Sequence, residues 1–189
     1  MNYLAHLRLS SSDAESMVGN LMGDFRKHLG EAALPDRVNS GISNHLRVDK
    51  FTDTHPLILD LKCLFSKERR RFAGIVLDVV FDYFLTCHWQ KFSDSDIDLF
   101  IDEAHDKISS LTDIMPIRMQ HVMSYMIEDQ WLRSYATLEG IGYALDRMST
   151  RIRFENKMAG AIEEVENNYQ ELEEGFLLFF PSLLEHIEA

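Results

Sequence analysis

Proline and glycine rarely interrupt this sequence, and their scarcity constrains the fold more than any other feature. The 189 residues include four prolines and nine glycines, and the long segments between them carry apolar residues at helical spacing. Alternating runs rich in Val, Ile and Thr, which are typical of strands, are nearly absent. Because hydrophobic residues make up 46% of the chain, we expect an all-α, single-domain helical bundle over residues 1–189.

Capping residues and prolines predict where the helices begin and end. The first predicted helix is capped by Ser12 and Asp13, with Glu15 reaching back to the cap, and it runs to about Gly30. The other predicted helices run from Pro35 through Asp49, from near Pro56, from about Arg69 to Trp89, from the cap at Asp94 to Asp96, from Pro116, from about Leu138 to Arg151, from Phe154 to Glu174, and after Pro181.

Composition and charge argue against several classes of protein. No apolar run approaches the ~20 residues that cross a bilayer, and the N-terminus lacks the basic and long apolar segments of a signal peptide. Cys63 and Cys87 do not form a disulfide framework in a chain of this length, so we expect reduced thiols and a cytoplasmic location. The net charge of −12 argues against nonspecific binding of nucleic acid, which needs clustered Lys and Arg.

Two aspartates lie inside the most apolar segment of the chain, from Phe72 to Leu85. Asp78 and Asp82 are four residues apart, so a helix places them on one face, one turn from each other. Burying two like charges together costs several kcal/mol each unless a cation or hydrogen-bond donors compensate. We expect a metal ion to be that cation; the alternative is one solvated aspartate and one aspartate paired with an arginine.

A second pair of candidate ligands lies at the same spacing. His45 and Asp49 share a helix face, and Asp53 extends the row. An imidazole and a carboxylate one turn apart can aim at one divalent ion. Taken alone, such a pair is more often an ordinary surface pair.

Isolated polar residues in apolar surroundings complete the candidates. Asp24 follows a glycine and precedes a phenylalanine, an awkward place for a carboxylate that only meets water. His6 and His88 have apolar neighbours, and for such histidines a satisfied place in the core is the more common explanation than metal binding. An oxygen-rich set with one or two imidazoles and no thiolate pair favours Mn²⁺, Mg²⁺ or Fe²⁺, and such ions support phosphoester hydrolysis.

Four motifs in order along residues 1–90 resemble one family. They are Asn2-x-Leu4-Ala5-His6-Leu7; Gly19-Asn20-Leu21-x-x-Asp24-Phe25; Gly41-Ile42-x-x-His45-x-Arg47-x-Asp49-x-x-Thr52-Asp53; and Leu77-Asp78-Val79-x-x-Asp82-x-Phe84-Leu85-x-x-His88-Trp89. The chain looks like an acyl carrier protein phosphodiesterase. Beyond residue 90 the resemblance rests on length and helical pattern.

The resemblance implies a fold, a reaction and a site. That family removes 4′-phosphopantetheine from holo acyl carrier protein, is a divergent relative of the helical HD phosphohydrolases, and is associated with Mn²⁺. Carried over to this chain, the implied metal ligands are Asp24, His45, Asp49, Asp78 and Asp82, with His6 next. We expect water activated by the metal to attack the phosphorus, and we assign catalytic roles to Asp24, Asp82 and, as the stabiliser of the developing charge, Arg47.

Two charged segments outside the main candidates also bear on the site. The adjacent pair His105 and Asp106, the type of pair that names the HD superfamily, lies in a charged amphipathic stretch, and we interpret it as a solvated helix face. Because acyl carrier protein is acidic, the basic runs at Lys67 to Arg71 and at Arg26 and Lys27 either form a basic rim around the site or are ordinary exposed helix ends.

Two other functions fit the sequence. One is a metal-dependent phosphohydrolase of a small nucleotide or phosphoester, and the other is a noncatalytic helical partner protein whose aspartates make only structural pairs. Activity without carrier protein distinguishes the first, and the absence of a bound or activating divalent ion distinguishes the second.

Overall fold

The computed structural model describes residues 1–30 and 33–188, and the regular structure of these residues is entirely helical. It contains α1 (Tyr3–Arg8), α2 (Ala14–Met22), α3 (Asp36–Thr54), α4 (Pro56–Lys62), α5 (Ala73–Cys87), α6 (Ile97–Ser110), α7 (Ile117–Glu128), α8 (Trp131–Ser134), α9 (Leu138–Arg151), α10 (Ile162–Asn167) and α11 (Tyr169–Glu188). Single turns of 3-10 helix cover Arg70–Phe72, Trp89–Lys91 and Thr112–Ile114, and a longer one covers Gly23–His28. The prediction of an all-α fold is confirmed.

Helix α5 lies in the core and packs its aromatic side chains against α11. The rings of Phe81 and Phe176 are 5.3 Å apart, and those of Phe84 and Phe176 are 5.9 Å apart. All three side chains are buried, and burying each contributes about 1.5–3 kcal/mol. This packing fixes the orientation of α5, and with it the positions of Asp78 and Asp82.

Helices α2 and α3 cross in direct backbone contact. A Cβ atom on Gly19 would lie 2.2 Å from the carbonyl oxygen of Val38, and one on Gly41 would lie 2.5 Å from that of Ser16. Only glycine allows this approach, because any side chain would overlap backbone that has no room to move. The crossing brings α3 close to α2 and to the 3-10 turn that follows it.

In the N-terminal half of the chain, several helix boundaries predicted from the sequence differ from those in the structure. The helix capped by Asp13 ends at Met22 and continues only as the 3-10 turn Gly23–His28. The cap itself is confirmed, since the Asp13 carboxylate accepts from the backbone amide of Ser16. The helix predicted to end at Asp49 extends to Thr54, and the one predicted from Arg69 to Trp89 is α-helical only over Ala73–Cys87.

The prediction of one helix from Phe154 to Glu174 is wrong. Residues 152–161 are not helical, and Gly160 has a φ of 71°, a left-handed conformation that ends regular helix. Pro181 does not begin a separate helix, because it lies inside α11. Burial of Phe179, Phe180 and Leu183 on either side of it outweighs the one backbone hydrogen bond that proline removes.

The interpretation of His105 as solvated is also wrong. His105 lies on the buried face of α6 with Ile101, Ala104 and Ile108, whereas Asp106 is exposed. The spacing of those four residues is that of a single helix face, so the histidine extends the apolar stripe. No helix in the described part of the chain is both long and apolar enough to cross a bilayer.

Candidate metal centre

Asp82 anchors the N-terminus of α1. Its Oδ2 accepts a hydrogen bond from the backbone amide of Leu4 and its Oδ1 accepts one from that of Ala5, both at 2.9 Å. These amides are among the four that a helix leaves unpaired at its start. Burial raises the pKa of Asp82 to about 7, against the opposing effect of the two amides. The structure therefore shows Asp82 positioning α1, and its roles as a ligand and a catalytic residue stay predictions.

Helix α1 carries His6 into the interior, where it is 1% exposed. Its Nδ1 lies 2.9 Å from Oδ1 of Asn20 on α2, and with the Asn20 amide in this orientation Nδ1 donates. Burial lowers the pKa of His6 to about 4, so the ring is neutral near pH 7 and Nε2 carries a lone pair. A hydrogen bond that fixes the tautomer in this way is typical of metal-binding histidines.

Asp49 of α3 lies between His6 and His45. Its Oδ2 is 3.0 Å from Nε2 of His45, one turn earlier on the same helix, and its Oδ1 is 3.2 Å from Nε2 of His6. The two imidazole rings stack with centroids 4.1 Å apart. Although burial alone would raise the pKa of Asp49, the hydrogen bond with His45 and the charge of the Met1 amino group hold it well below its usual range.

The contact between His6 and Asp49 is unusual because both facing atoms are acceptors. In the described part of the chain, Nε2 of His6 is buried without a correctly aligned hydrogen-bond partner, and so is Nδ1 of His45. A neutral nitrogen lone pair opposite a carboxylate oxygen is unfavourable unless a cation lies between them. This orphaned nitrogen is the feature of the site that a metal ion would fit.

The dimensions of the cluster also fit a divalent ion. Two donors at about 2.0–2.2 Å from one ion lie up to ~4.4 Å apart, and the Asp49 oxygens lie 3.2 Å and 3.0 Å from Nε2 of His6 and of His45. Asp24, in the 3-10 turn after α2, adds a carboxylate oxygen 3.6 Å from Nε2 of His45. Burial, with the nearby charge of Asp49, raises the pKa of Asp24, whereas His45 opposes the rise.

Asp78 meets the same cluster through the amino group of Met1. The Met1 ammonium lies 2.9 Å from Oδ1 of Asp78 and 3.5 Å from Oδ1 of Asp49. Burial lowers the pKa of this amino group, but the charges of Asp78 and Asp49 outweigh that effect and raise it to about 10. The structure thus brings His6, Asp24, His45 and Asp49 together, with Asp78 joined to them through the Met1 amino group.

The structure directs Arg47 away from this point. Arg47 is two residues from both His45 and Asp49, which puts it on another side of α3. Its guanidinium donates to the carbonyl oxygens of His186 and Ile187 near the end of α11. Arg47 therefore contacts the C-terminal segment, and its role as stabiliser of the developing charge stays a prediction.

The other candidates from the sequence lie in separate contacts. Nε2 of His88 is 2.8 Å from Glu173, and Asp53 is 3.5 Å from Lys62. In the basic run, Arg69 donates to Glu164 and to two backbone carbonyls. Arg69 thus holds the non-helical segment before α10 and is not free to form a rim around the site.

Asn20 is the residue of the site that sequence reasoning passed over. It is 0% exposed and orients His6 from the neighbouring helix. The available signal was an amide inside an apolar helical run, between Val18 and Leu21, because a buried amide needs a specific partner.

The sequence of the chain is similar to those of known proteins. The sequence model of one family, described as "Acyl carrier protein phosphodiesterase", matches residues 1–183. Proteins of that name from Serratia proteamaculans and Yersinia enterocolitica are 38% and 36% identical to the chain, over 98% and 97% of its length and 96% of their own. One from Escherichia coli O139:H28 is 32% identical, over 97% of the chain and 96% of its own length.

No solved structure matches the chain. The expected likeness to the HD phosphohydrolase fold therefore stays a prediction, while the all-α class stands on the helices themselves.

Proposed function

The chain belongs to the acyl carrier protein phosphodiesterase family, and from that premise we propose that it hydrolyses the phosphodiester joining 4′-phosphopantetheine to the serine of holo acyl carrier protein. The products are apo acyl carrier protein and free 4′-phosphopantetheine. The observation that carries the proposal is the unpaired Nε2 of His6, which faces Asp49 beside His45 in a buried cluster.

We propose that His6, His45 and Asp49 hold a divalent ion, with Asp24 and Asp78 beside them. Mn²⁺ is the proposed metal, and Mg²⁺ and Fe²⁺ suit the same oxygen and imidazole donors. When bound, such an ion lowers the pKa of a coordinated water and polarises phosphoryl oxygens. Its positive charge adds to that of the Met1 amino group and reduces the repulsion of the three neighbouring carboxylates for one another and for the anionic substrate.

Asp24 is the proposed proton donor to the departing serine oxygen. Its side chain is 52% exposed, so a substrate can reach it. Burial of part of the group raises the pKa of its carboxyl, which is the direction a general acid needs near neutral pH. Asp82 and Asn20 act indirectly, because Asp82 fixes the start of α1 and Asn20 fixes the tautomer of His6.

We further propose that the protein acts in the cytoplasm on a protein substrate and not on nucleic acid. Two free cysteines, Cys63 and Cys87, support a reducing compartment. The net charge of −12 supports the absence of nucleic-acid binding.

Incubation of the purified protein with holo acyl carrier protein and Mn²⁺, followed by intact mass analysis of the carrier, tests the proposal. Loss of the prosthetic group, prevented by a chelator, is the expected result. A carrier protein whose mass stays unchanged at all metal concentrations would contradict it. Turnover of nucleotides or simple phosphodiesters without attack on the carrier would instead favour a small-molecule phosphohydrolase.

A further inference from the structure

A cavity of about 260 Å³ lies between α8 and α9. Trp131 and Tyr135 line it from one side, and Tyr143, Arg147 and Arg151 line it from α9. Its volume is close to the lower end of small-molecule sites, about 300–1,000 Å³. The cavity therefore suits a slender flexible arm better than a segment of folded protein.

The two arginines give the cavity its charge. Arg147 and Arg151 are four residues apart on α9, so they share one face of the helix. The Arg147 guanidinium lies 5.6 Å from the ring centroid of Trp131 and 5.7 Å from that of Tyr143, and 3.7 Å from the Asp129 carboxylate. No carboxylate of the described residues lies within 4 Å of Arg151, so its charge is available to an anion.

Tyr3 joins the cavity to the metal centre. Its ring stacks with that of Trp131, with centroids 6.4 Å apart, and it belongs to α1, three residues before His6. Burial raises the pKa of Tyr3, the charge of Asp24 raises it further, and the charge of Arg151 opposes both. Tyr3 therefore contacts Trp131 of the cavity wall and belongs to the same short helix as His6.

The charge of the substrate explains why such a cation is needed. A phosphodiester is an anion, and it must approach a protein of net charge −12 at a point surrounded by carboxylates. A guanidinium binds phosphate oxygens through two parallel hydrogen bonds. Arg47 is turned toward α11 and Arg69 is paired with Glu164, whereas Arg151 lines the cavity without such a partner.

We propose that this cavity binds the phosphopantetheine part of the substrate, with Arg151 on the phosphate and the aromatic wall of Trp131 and Tyr143 along the pantetheine arm. This inference rests on the proposed function and deepens it. It assigns Arg151 the contact with substrate charge that the sequence assigned to Arg47. Arg147, held between the two rings, shapes the wall of the cavity.

Binding of free 4′-phosphopantetheine to the full-length protein, followed by Trp fluorescence in the presence of Mn²⁺, tests the cavity directly. We expect saturable quenching, abolished in Trp131→Phe, because Trp89 is buried elsewhere in the core. We expect Arg151→Gln to weaken binding about 10- to 100-fold, the usual effect of losing a hydrogen bond between charged groups. Arg153→Gln, an exposed change two residues away, is the matched control and should bind like the wild type.

Kinetics on holo acyl carrier protein separate this inference from the proposed function. If the wild type releases the prosthetic group and Arg151→Gln shows unchanged kcat/KM and unchanged quenching, the cavity assignment fails while the function stands. If no protein attacks the carrier, the proposed function fails, and a difference in quenching between Arg151→Gln and Arg153→Gln still supports the cavity. Equal quenching in all variants overturns the cavity assignment. Unchanged thermal unfolding of Arg151→Gln shows that any loss of binding is local.

Discussion

Asp49 is the residue on which the candidate centre depends most, since it contacts both histidines. Asp49→Asn keeps the size of the side chain but removes the charge that offsets a metal ion. We expect Mn²⁺ affinity and the rate of release of the prosthetic group each to fall at least about 100-fold, as for loss of a metal ligand. Metal analysis of the purified variant and intact mass of the carrier measure the two effects.

Asp53→Asn provides the matched control for that change. Asp53 lies one turn further along α3, is 74% exposed and is 3.5 Å from Lys62. The substitution Asp53→Asn therefore removes the same charge from the same helix, but outside the cluster. We expect its activity to stay within about twofold of the wild type, because exposed ion pairs contribute little. Equal losses in the two variants would mean that Asp49 has no special role.

His6 predicts a pH dependence of stability in the metal-free protein. Its pKa is about 4 in the folded state and about 6.5 when unfolded. Between these values the unfolded chain binds more protons at this histidine than the folded protein does. The contribution of neutral His6 to the free energy of unfolding is therefore complete above pH 6.5 and is lost as the pH falls toward 4. The loss is on the order of 3 kcal/mol at most, from 1.36 kcal/mol per pKa unit.

Urea unfolding of the metal-free wild type and of His6→Gln between pH 4 and pH 7 measures this contribution. The contribution of Asp82 to the free energy of unfolding has the opposite pH dependence. Because the pKa of Asp82 is raised to about 7, that contribution falls as the pH rises. That slope is common to both proteins and cancels in the difference. We expect the difference in unfolding free energy to shrink on acidification, and a constant difference would refute the assignment of a neutral buried His6.

At the scale of elements, the close crossing of α2 and α3 predicts the effect of a single methyl group. Gly41→Ala would place a Cβ 2.5 Å from a backbone oxygen of α2, which cannot move aside as a side chain can. We expect a loss of about 1–3 kcal/mol in unfolding free energy from overpacking, despite the better helix propensity of alanine. Thermal or urea unfolding measures it.

Gly30→Ala is the control, since its Cβ would meet nothing within 4 Å. We expect its stability to match the wild type within about 0.5 kcal/mol. A shift of α3 in Gly41→Ala should also weaken Mn²⁺ binding, because His45 and Asp49 lie on that helix. A variant as stable as Gly30→Ala would show that the two backbones have room to separate.

The anchoring of α1 on α5 makes a prediction about Asp82. In Asp82→Asn only one side-chain atom can still accept, so one of the amides of Leu4 and Ala5 loses its partner in a buried place. We expect about 1–3 kcal/mol of destabilisation and faster amide hydrogen exchange at Leu4 and Ala5. The exposed change Asp60→Asn should alter neither quantity, and unchanged exchange at both amides of Asp82→Asn would refute the anchor.

For the whole molecule, metal binding should appear as added stability. A ligand that binds only the folded state adds about 2.7 kcal/mol at 100 times its dissociation constant, or roughly 5–10 °C in Tm for a chain of this size. We expect Mn²⁺ to raise the Tm of chelator-treated protein by that amount. Asp49→Asn should show no such rise, and an equal rise in that variant would place the metal elsewhere.

The sequence by itself determined the class of fold and most candidates for the site. The spacing of apolar residues predicted an all-α protein, and the four-residue spacing of His45 and Asp49 predicted that they meet. Both are local properties, because residues one turn apart on a helix share a face wherever that helix packs. Capping at Asp13 and Asp96 was predictable for the same reason.

Only the tertiary structure decided which faces meet. The pairing of His6 with Asp49, the use of Asp82 as an anchor for α1, and the turn of Arg47 toward α11 depend on contacts between distant segments. Those contacts follow from the close approach at Gly19 and Gly41 and from the aromatic packing of α5 on α11. Periodicity fixes the faces of each helix, but the partner of each face is chosen by packing across the whole chain, and that is why the site was predictable in its residues and not in its connections.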